Sequence, residues 1–338
     1  MKTKATLIAA LLVAGYVGAA AGDPVRLRVA WAQVPTQITP LVVELASVHP
    51  ALFPNFNRSY TYELARFQGS PPQIQALAAN EIEVAALGPA ALALSVTNAH
   101  LDPRVVADVA QDGGNEYYQT WWAVRKDGPI KTIEDLKGHI VIVNAKGAST
   151  DMFLREMTRR HGVADSDYTE IEANFANMLA MLENGKGDAA PVMAQFNHDF
   201  EATGRYRALF TTSEVVGGTD QVLFWVMRAD FIAAHRAAIV DFLADHMAGV
   251  RWFLDPANRA EALKIAHDFT KQPLEALDYV FTKNDVYRSP DLRPEIPPIQ
   301  KDIDTAVRMK LLPASIQVAP TYVDLSMVEE AKARLDGN

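Results

Sequence analysis

Two turns in the sequence combine the residue types that bind small anions. Gly69-Ser70-Pro71 follows an aromatic-rich stretch and precedes a helical pattern, with Ser70 suited to the N-cap and Pro71 to the first helical position. The turn 145–150 follows an apolar run and precedes a second helical pattern, for which Ser149 is the predicted N-cap. Because a helix N-terminus presents unpaired N–H groups and the positive end of the helix dipole, each turn favours a small anion.

Both serines also have a purely structural interpretation, because most capping serines bind nothing. Their paired placement after apolar strands supports the hypothesis that the two helix N-termini face each other across a cleft and clamp one ligand. Lys146 and Arg125 are basic residues that could neutralise the anion, and Lys146 is the candidate retained.

The composition excludes several classes of chemistry. The 338 residues include no cysteine, which rules out disulfides, thiolate metal sites and cysteine nucleophiles. The eight histidines are scattered without an H-E-x-x-H pair, and no G-x-S-x-G nucleophile elbow is present. With a formal net charge of −9, the chain has no electrostatic footprint for nucleic acid. The sequence therefore predicts a protein that is not an enzyme, with no cofactor, no metal and no nucleic-acid partner.

Residues 1–22 have the pattern of a secretory signal peptide. Lys2 and Lys4 form a charged start, 5–17 is a mostly apolar core, and Ala19-Ala20-Ala21 offers small residues for cleavage. An N-terminal membrane anchor is the alternative, but the core is short for a bilayer and the small-residue cluster favours cleavage. The mature chain is predicted to be soluble.

The remaining sequence alternates strand and helix patterns, which favours an α/β fold. A strand, a Gly-Ser turn, a helix and a short strand occur twice in the same order, ending first in 83–86 and then in 187–190. We predict two lobes, each a mixed sheet flanked by helices. Lobe 1 is discontinuous (23–117 and 226–338), lobe 2 is 118–225, and two crossover strands form the hinge.

The aromatic run beginning at Tyr117 is predicted to be a long strand, 117–126. Alternation places Tyr118, Thr120 and Trp122 on one face, and the opposite face is the candidate for ligand contact through Tyr117 and Trp121. Proline cannot donate to a ladder, so Pro191 is predicted to restrict the strand 188–193 to a bend or a sheet edge.

Several segments occur together in a set order. They are Phe67-Gln68-Gly69-Ser70-Pro71, Ala76-Leu77-Ala78, Val84-Ala85-Ala86-Leu87-Gly88, Ile133-Glu134-Asp135-Leu136-Lys137-Gly138, Lys146-Gly147-Ala148-Ser149-Thr150 and Asn184-Gly185-Lys186-Gly187-Asp188-Ala189. This ordered set resembles the periplasmic substrate-binding proteins of ABC importers for nitrate, sulfonates, taurine and related small anions. The resemblance covers about residues 25–255, and the C-terminal third matches only as a helical region.

The resemblance implies a two-lobed type II periplasmic binding fold that closes on its ligand as a hinged clamp. It also implies delivery of the ligand to the membrane permease and ATPase of an ABC importer. In such proteins the turns matching Gly69-Ser70-Pro71 and 147–150 contact the anionic group, and the loop after the first strand, here Gln33-Val34-Pro35, contributes. The aromatic residues depart from the small-anion pattern, and they favour a bulkier aromatic or aliphatic carboxylate or sulfonate over nitrate or taurine.

The candidate ligand-binding residues come from these turns, from the strand ends and from the crossovers. They are Gln33, Val34, Gly69, Ser70, Pro71, Gly88, Tyr117, Trp121, Lys146, Gly147, Ser149, Thr150, Gln195, Phe196 and Asp220. The expected protein is a periplasmic monomer.

Two alternatives remain open. One is an enzyme on the same fold, since thiamine-precursor synthases resemble this family; they carry cysteine and histidine motifs, and this chain has no cysteine. The other is a ligand-sensing partner of a membrane receptor.

Overall fold

The structure, a computed structural model, describes residues 23–146 and 148–337. The predicted signal peptide and Gly147 of the second turn lie outside the described residues. Within the described part of the chain, no helix combines the length and the apolar character that crossing a membrane would need.

Ten strands account for the sheets of the described chain. They are β1 (Val25–Trp31), β2 (Tyr60–Arg66), β3 (Ala85–Leu87), β4 (Pro103–Asp112), β5 (Trp121–Arg125), β6 (Ile140–Val143), β7 (Thr169–Glu172), β8 (Ala189–Val192), β9 (Tyr206–Thr211) and β10 (Asp220–Arg228). They form three sheets, two of which a single bridge joins into one, called the first sheet, and this arrangement confirms the predicted α/β class.

Eleven α-helices flank these sheets in the described residues. They are α1 (Thr39–Val48), α2 (Ser70–Ala78), α3 (Pro89–Thr97), α4 (Ser149–Arg160), α5 (Phe175–Glu183), α6 (Ala194–Thr203), α7 (Thr212–Val216), α8 (Ala229–Leu254), α9 (Arg259–Thr270), α10 (Ile296–Arg308) and α11 (Ser326–Asp336). Short 3-10 helices cover Pro50–Leu52, Gly114–Glu116, Glu134–Leu136, Pro256–Asn258 and Leu274–Leu277.

The first sheet has the order β2-β1-β3-β10-β4. β1 and β2 are parallel, and a parallel bridge between Val29 and Val84 joins them to β3, while β10 runs antiparallel to both β3 and β4. Because β1, β2 and β3 run in one direction, their carboxyl ends lie at the same edge of the sheet. The loops that follow these three strands begin together at that edge.

The second sheet has the order β7-β6-β8-β5-β9. β8 lies inside this sheet, so the prediction that Pro191 confines it to a bend or an edge is wrong. Pro191 pairs with Trp122 of β5. On its other side β8 pairs with β6 only between Ala189 and Val141. The proline is tolerated because it lies beyond the short ladder with β6.

The first crossover between the sheets is not part of a strand, which corrects the prediction of a long strand over 117–126. β5 begins only at Trp121. Tyr118 N donates to Asp285 O at 3.1 Å, and Thr120 N donates to the two carboxylate oxygens of Asp112 at 2.9 and 3.0 Å. The backbone of the crossover therefore bonds to the hinge and to a C-terminal segment instead of a neighbouring strand.

The alternation predicted for the aromatic run is confirmed on its buried face. Tyr118, Thr120 and Trp122 are 9%, 6% and 0% exposed. The Trp122 ring stacks on Phe210 with ring centroids 4.3 Å apart. Burial of these side chains supplies the hydrophobic contacts that hold β5 between β8 and β9.

The two predicted N-cap serines are instead the first residues of their helices. Gly69 and Ala148 occupy the N-cap positions, both in extended conformation, and neither provides a side-chain cap. Because an N-cap residue must be non-helical, the extended residue that leaves each strand takes that position and the serine joins the first turn. Pro71 then lies one position further into the helix, where its missing N–H is still harmless.

Candidate ligand-binding cleft

A cavity of about 410 Å³ lies between the edges of the two sheets. Three parts of the chain line it: the loop after β1, the start of α6 and the segment after α9. The lining residues are Gln33, Val34, Pro35, Gln195, Phe196, Asp199, Gln272, Ala276 and Tyr279. The four predicted residues Gln33, Val34, Gln195 and Phe196 are therefore brought together, although they come from different sheets.

The strand directions place each serine turn at the same sheet edge as one wall of this cavity. Ser70 follows β2, whose end pairs with the end of β1 through Trp31 and Arg66. Ser149 follows β6, which runs parallel to β8, the strand that leads into Gln195. The N-termini of α2 and α4 thus begin at the same sheet edges as the loop after β1 and the start of α6, and their joint contact with a ligand stays a prediction.

The loop after β1 is held by its own backbone and by a glutamine. Gln37 N donates to Gln33 O at 2.8 Å, and the Gln37 side-chain oxygen accepts from Ala32 N at 2.5 Å. Gln37 is only 3% exposed, so this bond is shielded from water. The loop therefore presents Gln33 and Val34 to the cavity from a braced turn.

The start of α6 is braced from β5 of its own sheet. Asn197 Oδ1 accepts from Trp121 Nε1 at 2.9 Å, and Phe196 N donates to Met193 O at 2.9 Å. Trp121 therefore contacts the element that carries Gln195 and Phe196, and it does not itself line the 410 Å³ cavity.

Tyr117 and Trp121 line a separate, shallower depression of about 470 Å³ beside the first crossover. The Tyr117 ring packs against Tyr287, with ring centroids 5.2 Å apart, and the Lys283 ammonium lies 4.2 Å from its ring centroid. A smaller acid-lined pocket of about 200 Å³ shares Gln195 with the cleft and Asn197 with this depression. The two aromatic candidates thus lie next to the cleft but outside its central cavity.

The remaining candidates of the two turns differ in exposure. Lys146 and Ser149 are exposed, Ser70 is half-buried, and Thr150 is buried, with its hydroxyl donating to Asn144 Oδ1. The Lys146 N–H donates to Glu172 Oε1 at 2.8 Å.

Gly88 lies where the end of β3 approaches the neighbouring strand. A β-carbon at Gly88 would lie 3.2 Å from Val222 O, so this end of β3 fits closely against β10.

Asp220 lies in the hinge and not on the cavity wall. It is 4% exposed and pairs with Asp112 across β10 and β4. Its carboxyl also contacts that of Asp302 in α10. Burial together with the Asp302 carboxyl raises the pKa of Asp220, and burial raises the pKa of Asp112 to about 6. Burial and the neighbouring carboxyls therefore favour the protonated form of Asp220 in the folded protein.

The electrostatics of the cavity are uneven. Its lining includes one carboxylate, Asp199, and no lysine or arginine. The adjacent 200 Å³ pocket adds Glu201, Glu275 and Asp278. This end of the cleft is therefore unfavourable for an anion, and the α2 and α4 N-termini are the positive features at the sheet edges.

Sequence reasoning missed Asp199 and the three lining residues of the C-terminal segment. Gln272, Ala276 and Tyr279 lie beyond α9 in a stretch with no turn, glycine or charge pattern that indicates a ligand. Within the described residues, no group of three or more histidine, aspartate or glutamate side chains is placed to hold a metal ion.

Comparison with solved structures shows the same fold. The chain is similar to the periplasmic aliphatic sulphonate-binding protein SsuA from Escherichia coli (18% identity, TM-score 0.69, covering 89% of this chain and 98% of that one). It is also similar to the periplasmic nitrate-binding protein NrtA from Synechocystis PCC 6803 (13% identity, TM-score 0.63, 93% and 90% covered). The desulfurization enzyme DSZB shares the fold as well (11% identity, TM-score 0.63, 92% and 99% covered).

Comparison of the sequence with known protein families and curated proteins identifies one family. No curated protein matches it significantly. The family model of the periplasmic phosphonate substrate-binding proteins of ABC transporters matches residues 60–269. Because the match spans more than half of the chain and both sheets, the chain belongs to this family of periplasmic ABC substrate-binding proteins.

Proposed function

We propose that the chain captures a small organic anion with a single negative charge, a carboxylate or sulfonate, and presents it to an ABC importer. The observation that carries this proposal is the 410 Å³ cavity lined by the loop after β1 and the start of α6, which share their sheet edges with the starts of α2 and α4. Val34, Phe196 and Tyr279 offer apolar surface for an organic group, and the glutamine amides can donate to or accept from its polar atoms. Nitrate would leave these apolar contacts unused.

The charge distribution supports one orientation of the ligand. Asp199 and the acidic residues next to it repel a negative group at their end of the cleft. The anionic head would therefore lie towards Ser70 and Ser149, with the organic tail between Phe196 and Tyr279. A dianion with charges at both ends would bind more weakly, because its second charge would approach Asp199.

Closure of the cleft is the proposed mechanism. The lobes are taken as 23–117 with 226–338 and as 118–225, and the crossovers 113–120 and 212–219 join them. An anion that contacts donors from both lobes stabilises the closed state over the open one, and this difference in affinity drives closure. The permease and ATPase of the importer would then recognise the closed form.

The family assignment also supports a proposal about where the protein acts. Membership of a periplasmic family supports export through cleavage of residues 1–22. We propose that the mature chain acts as a monomer and binds no nucleic acid, since its net charge is negative.

An enzyme on this fold is the second candidate, because DSZB shares the architecture. The nine residues described around the cavity include no serine, cysteine, histidine or lysine, which supports binding without covalent chemistry. A ligand-sensing role beside a membrane receptor would use the same cleft. The presence of permease and ATPase genes next to this one would favour import.

Isothermal titration calorimetry of the chain from residue 23 tests the proposal. The panel comprises benzoate, benzenesulfonate, methanesulfonate, methylphosphonate, nitrate and taurine. We expect binding of at least one organic monoanion that is tighter than nitrate binding. Absence of binding across the panel would refute the proposed function.

A matched pair of variants tests the role of the helix N-termini. Ser149→Asp places a carboxylate in the first turn of α4. Two like charges about 5 Å apart repel by roughly 3 kcal/mol at an effective dielectric constant of about 20. We therefore expect the variant to lose at least about tenfold in affinity for the anion. Ser166→Asp adds the same charge to an exposed loop at the opposite edge of the second sheet, beyond the end of α4. Equal effects of the two substitutions would show that the α4 N-terminus is not at the ligand.

A further inference from the structure

The segment 271–288 follows the family-matched residues 60–269 and reaches the cleft from the C-terminal part of the chain. We propose that it forms a third wall of the cavity and determines which organic tails the protein accepts. This inference rests on the proposed function, because it concerns the tail of the same ligand. It assigns selectivity to residues outside the matched region.

The wall is one face of a short 3-10 helix and its flanks. Gln272, Ala276 and Tyr279 line the cavity, whereas Leu277 and Val280 are fully buried on the opposite side. The two buried side chains belong to the hydrophobic core of the first sheet. The wall is therefore packed onto that core and does not hang freely over the cleft.

A buried ion pair shapes the end of the segment. Arg288 and Asp285 are each 2% exposed, and Arg288 Nη1 donates to Asp285 Oδ2 at 2.7 Å. The same carboxylate accepts from Phe281 N at 2.9 Å and from Val286 N at 2.8 Å. Because a buried carboxylate is stable only with its donors in place, these bonds hold the turn that follows Tyr279 in one conformation.

Arg288 also holds the first wall of the cavity. Its Nη2 donates to Pro35 O at 2.8 Å and to Thr36 O at 3.2 Å. Pro35 lines the cavity together with Gln33 and Val34. A single guanidinium, with its planar set of donors, therefore fixes the loop after β1 relative to the C-terminal wall. The two walls form one rigid unit on the side of the first sheet.

The segment is further bonded to the first crossover. Lys283 Nζ donates to Asn115 O at 2.6 Å, and Tyr118 N donates to Asp285 O at 3.1 Å. Gln111 and Tyr287 exchange backbone hydrogen bonds of 2.8 and 2.9 Å. The wall thus moves with the first lobe, and closure would bring Phe196 of α6 towards it.

The chemistry of the wall indicates an uncharged tail. Tyr279 and Phe196 both offer an aromatic surface to the cavity, and Ala276 contributes a small apolar side chain. Glu275 and Asp278 line the adjoining pocket and disfavour a second anionic group there. We therefore expect an aromatic tail to bind better than a methyl group of the same acid class.

Calorimetry with benzenesulfonate and methanesulfonate tests this expectation, because the two probes share a head and differ in the tail. Tyr279→Ala should weaken benzenesulfonate binding by about tenfold and leave methanesulfonate binding nearly unchanged. Leu274→Ala is the matched control, since Leu274 belongs to the same 3-10 helix, is 48% exposed and does not line the cavity. Equal losses for both probes, or no loss for either, would overturn the proposed selectivity.

A second measurement separates this inference from the proposed function. If the wild-type protein binds neither probe, the proposed function fails for this ligand class, and hydrogen exchange still tests the wall. Arg288→Lys should speed exchange of the Gln37 amide, which is bonded to Gln33 O, by more than tenfold, with amides of the second sheet unchanged. Unchanged exchange at Gln37 would show that Arg288 does not position the loop and would overturn the two-wall unit.

Discussion

Replacing Asp220 by asparagine should stabilise the protein at neutral pH. The Asp220 carboxyl is buried at the start of β10, in contact with Asp302 and close to Asp112. The Lys301 ammonium acts to lower the pKa of the Asp302 carboxyl and donates to Val216 O. An asparagine at 220 can donate its amide N–H to the Asp302 carboxylate, so the contact survives without a shared proton.

The size of the expected stabilisation follows from the coupling between proton binding and folding. Because burial and Asp302 raise the pKa of Asp220 in the folded protein, its stabilising contribution is present at low pH and is lost as the pH rises. One proton kept by the folded state and released by the unfolded state lowers the free energy of unfolding by about 1.4 kcal/mol per pH unit. Above about pH 4, where the unfolded chain releases this proton, the wild-type protein should lose stability as the pH rises, by up to about 1.4 kcal/mol per pH unit from Asp220. The variant should lack this loss.

Urea denaturation followed by tryptophan fluorescence, at intervals from pH 4.5 to pH 8, measures this difference. Asp112 and Asp302 remain in both proteins, and because both interact with Asp220, the difference between the two pH profiles includes the change in their pKa values. Asp127→Asn removes an exposed carboxylate and should leave the pH dependence unchanged. A variant that is less stable than wild type at pH 8, or that shows the wild-type slope, would refute the shared proton in the hinge.

Three further substitutions test the packing of the two sheets and the bracing of α6. Tyr60→Phe removes the hydroxyl that donates to Asp245 Oδ2 at 2.9 Å. Because a buried carboxylate loses a donor, the free energy of unfolding should fall by about 1–3 kcal/mol. An unchanged urea midpoint would contradict this expectation. Trp122→Ala should cost about 3–5 kcal/mol in the same assay, since the ring is fully buried, and a loss below about 1 kcal/mol would show that its core is loosely packed. Trp121→Phe removes the N–H that donates to Asn197 Oδ1. This change should weaken benzenesulfonate binding about fivefold. An unchanged Kd in calorimetry would show that this hydrogen bond does not position α6.

Local sequence patterns were sufficient for most of the elements. Alternating and apolar runs predicted the strands of both sheets, and the turns at Gly69 and 145–150 predicted the starts of α2 and α4. The errors occurred where tertiary contacts overrode a local rule. Pro191 lies within an interior strand because its neighbour β6 pairs only near Ala189, and 117–120 is not a strand because its N–H groups bond to Asp112 and to the C-terminal segment.

The candidate site was predicted only in part for the same reason. Gln33, Val34, Gln195 and Phe196 follow strands, and the rule that ligands lie beyond carboxyl strand ends applies to them directly. Tyr279 follows no strand and carries no local signal, so its place in the cavity depends on where the chain returns after α9.

The sequence by itself determined the α/β class, the starts of α2 and α4 and the absence of cysteine chemistry, because these depend on residue type and short-range spacing. Tertiary structure alone decided that Asp220 is buried against Asp302 and that Arg288 joins the loop after β1 to the C-terminal wall. Arg288 and Pro35 are separated by 253 positions in the chain. No local pattern encodes such a contact, because it forms only when the core of the first sheet packs both segments into place.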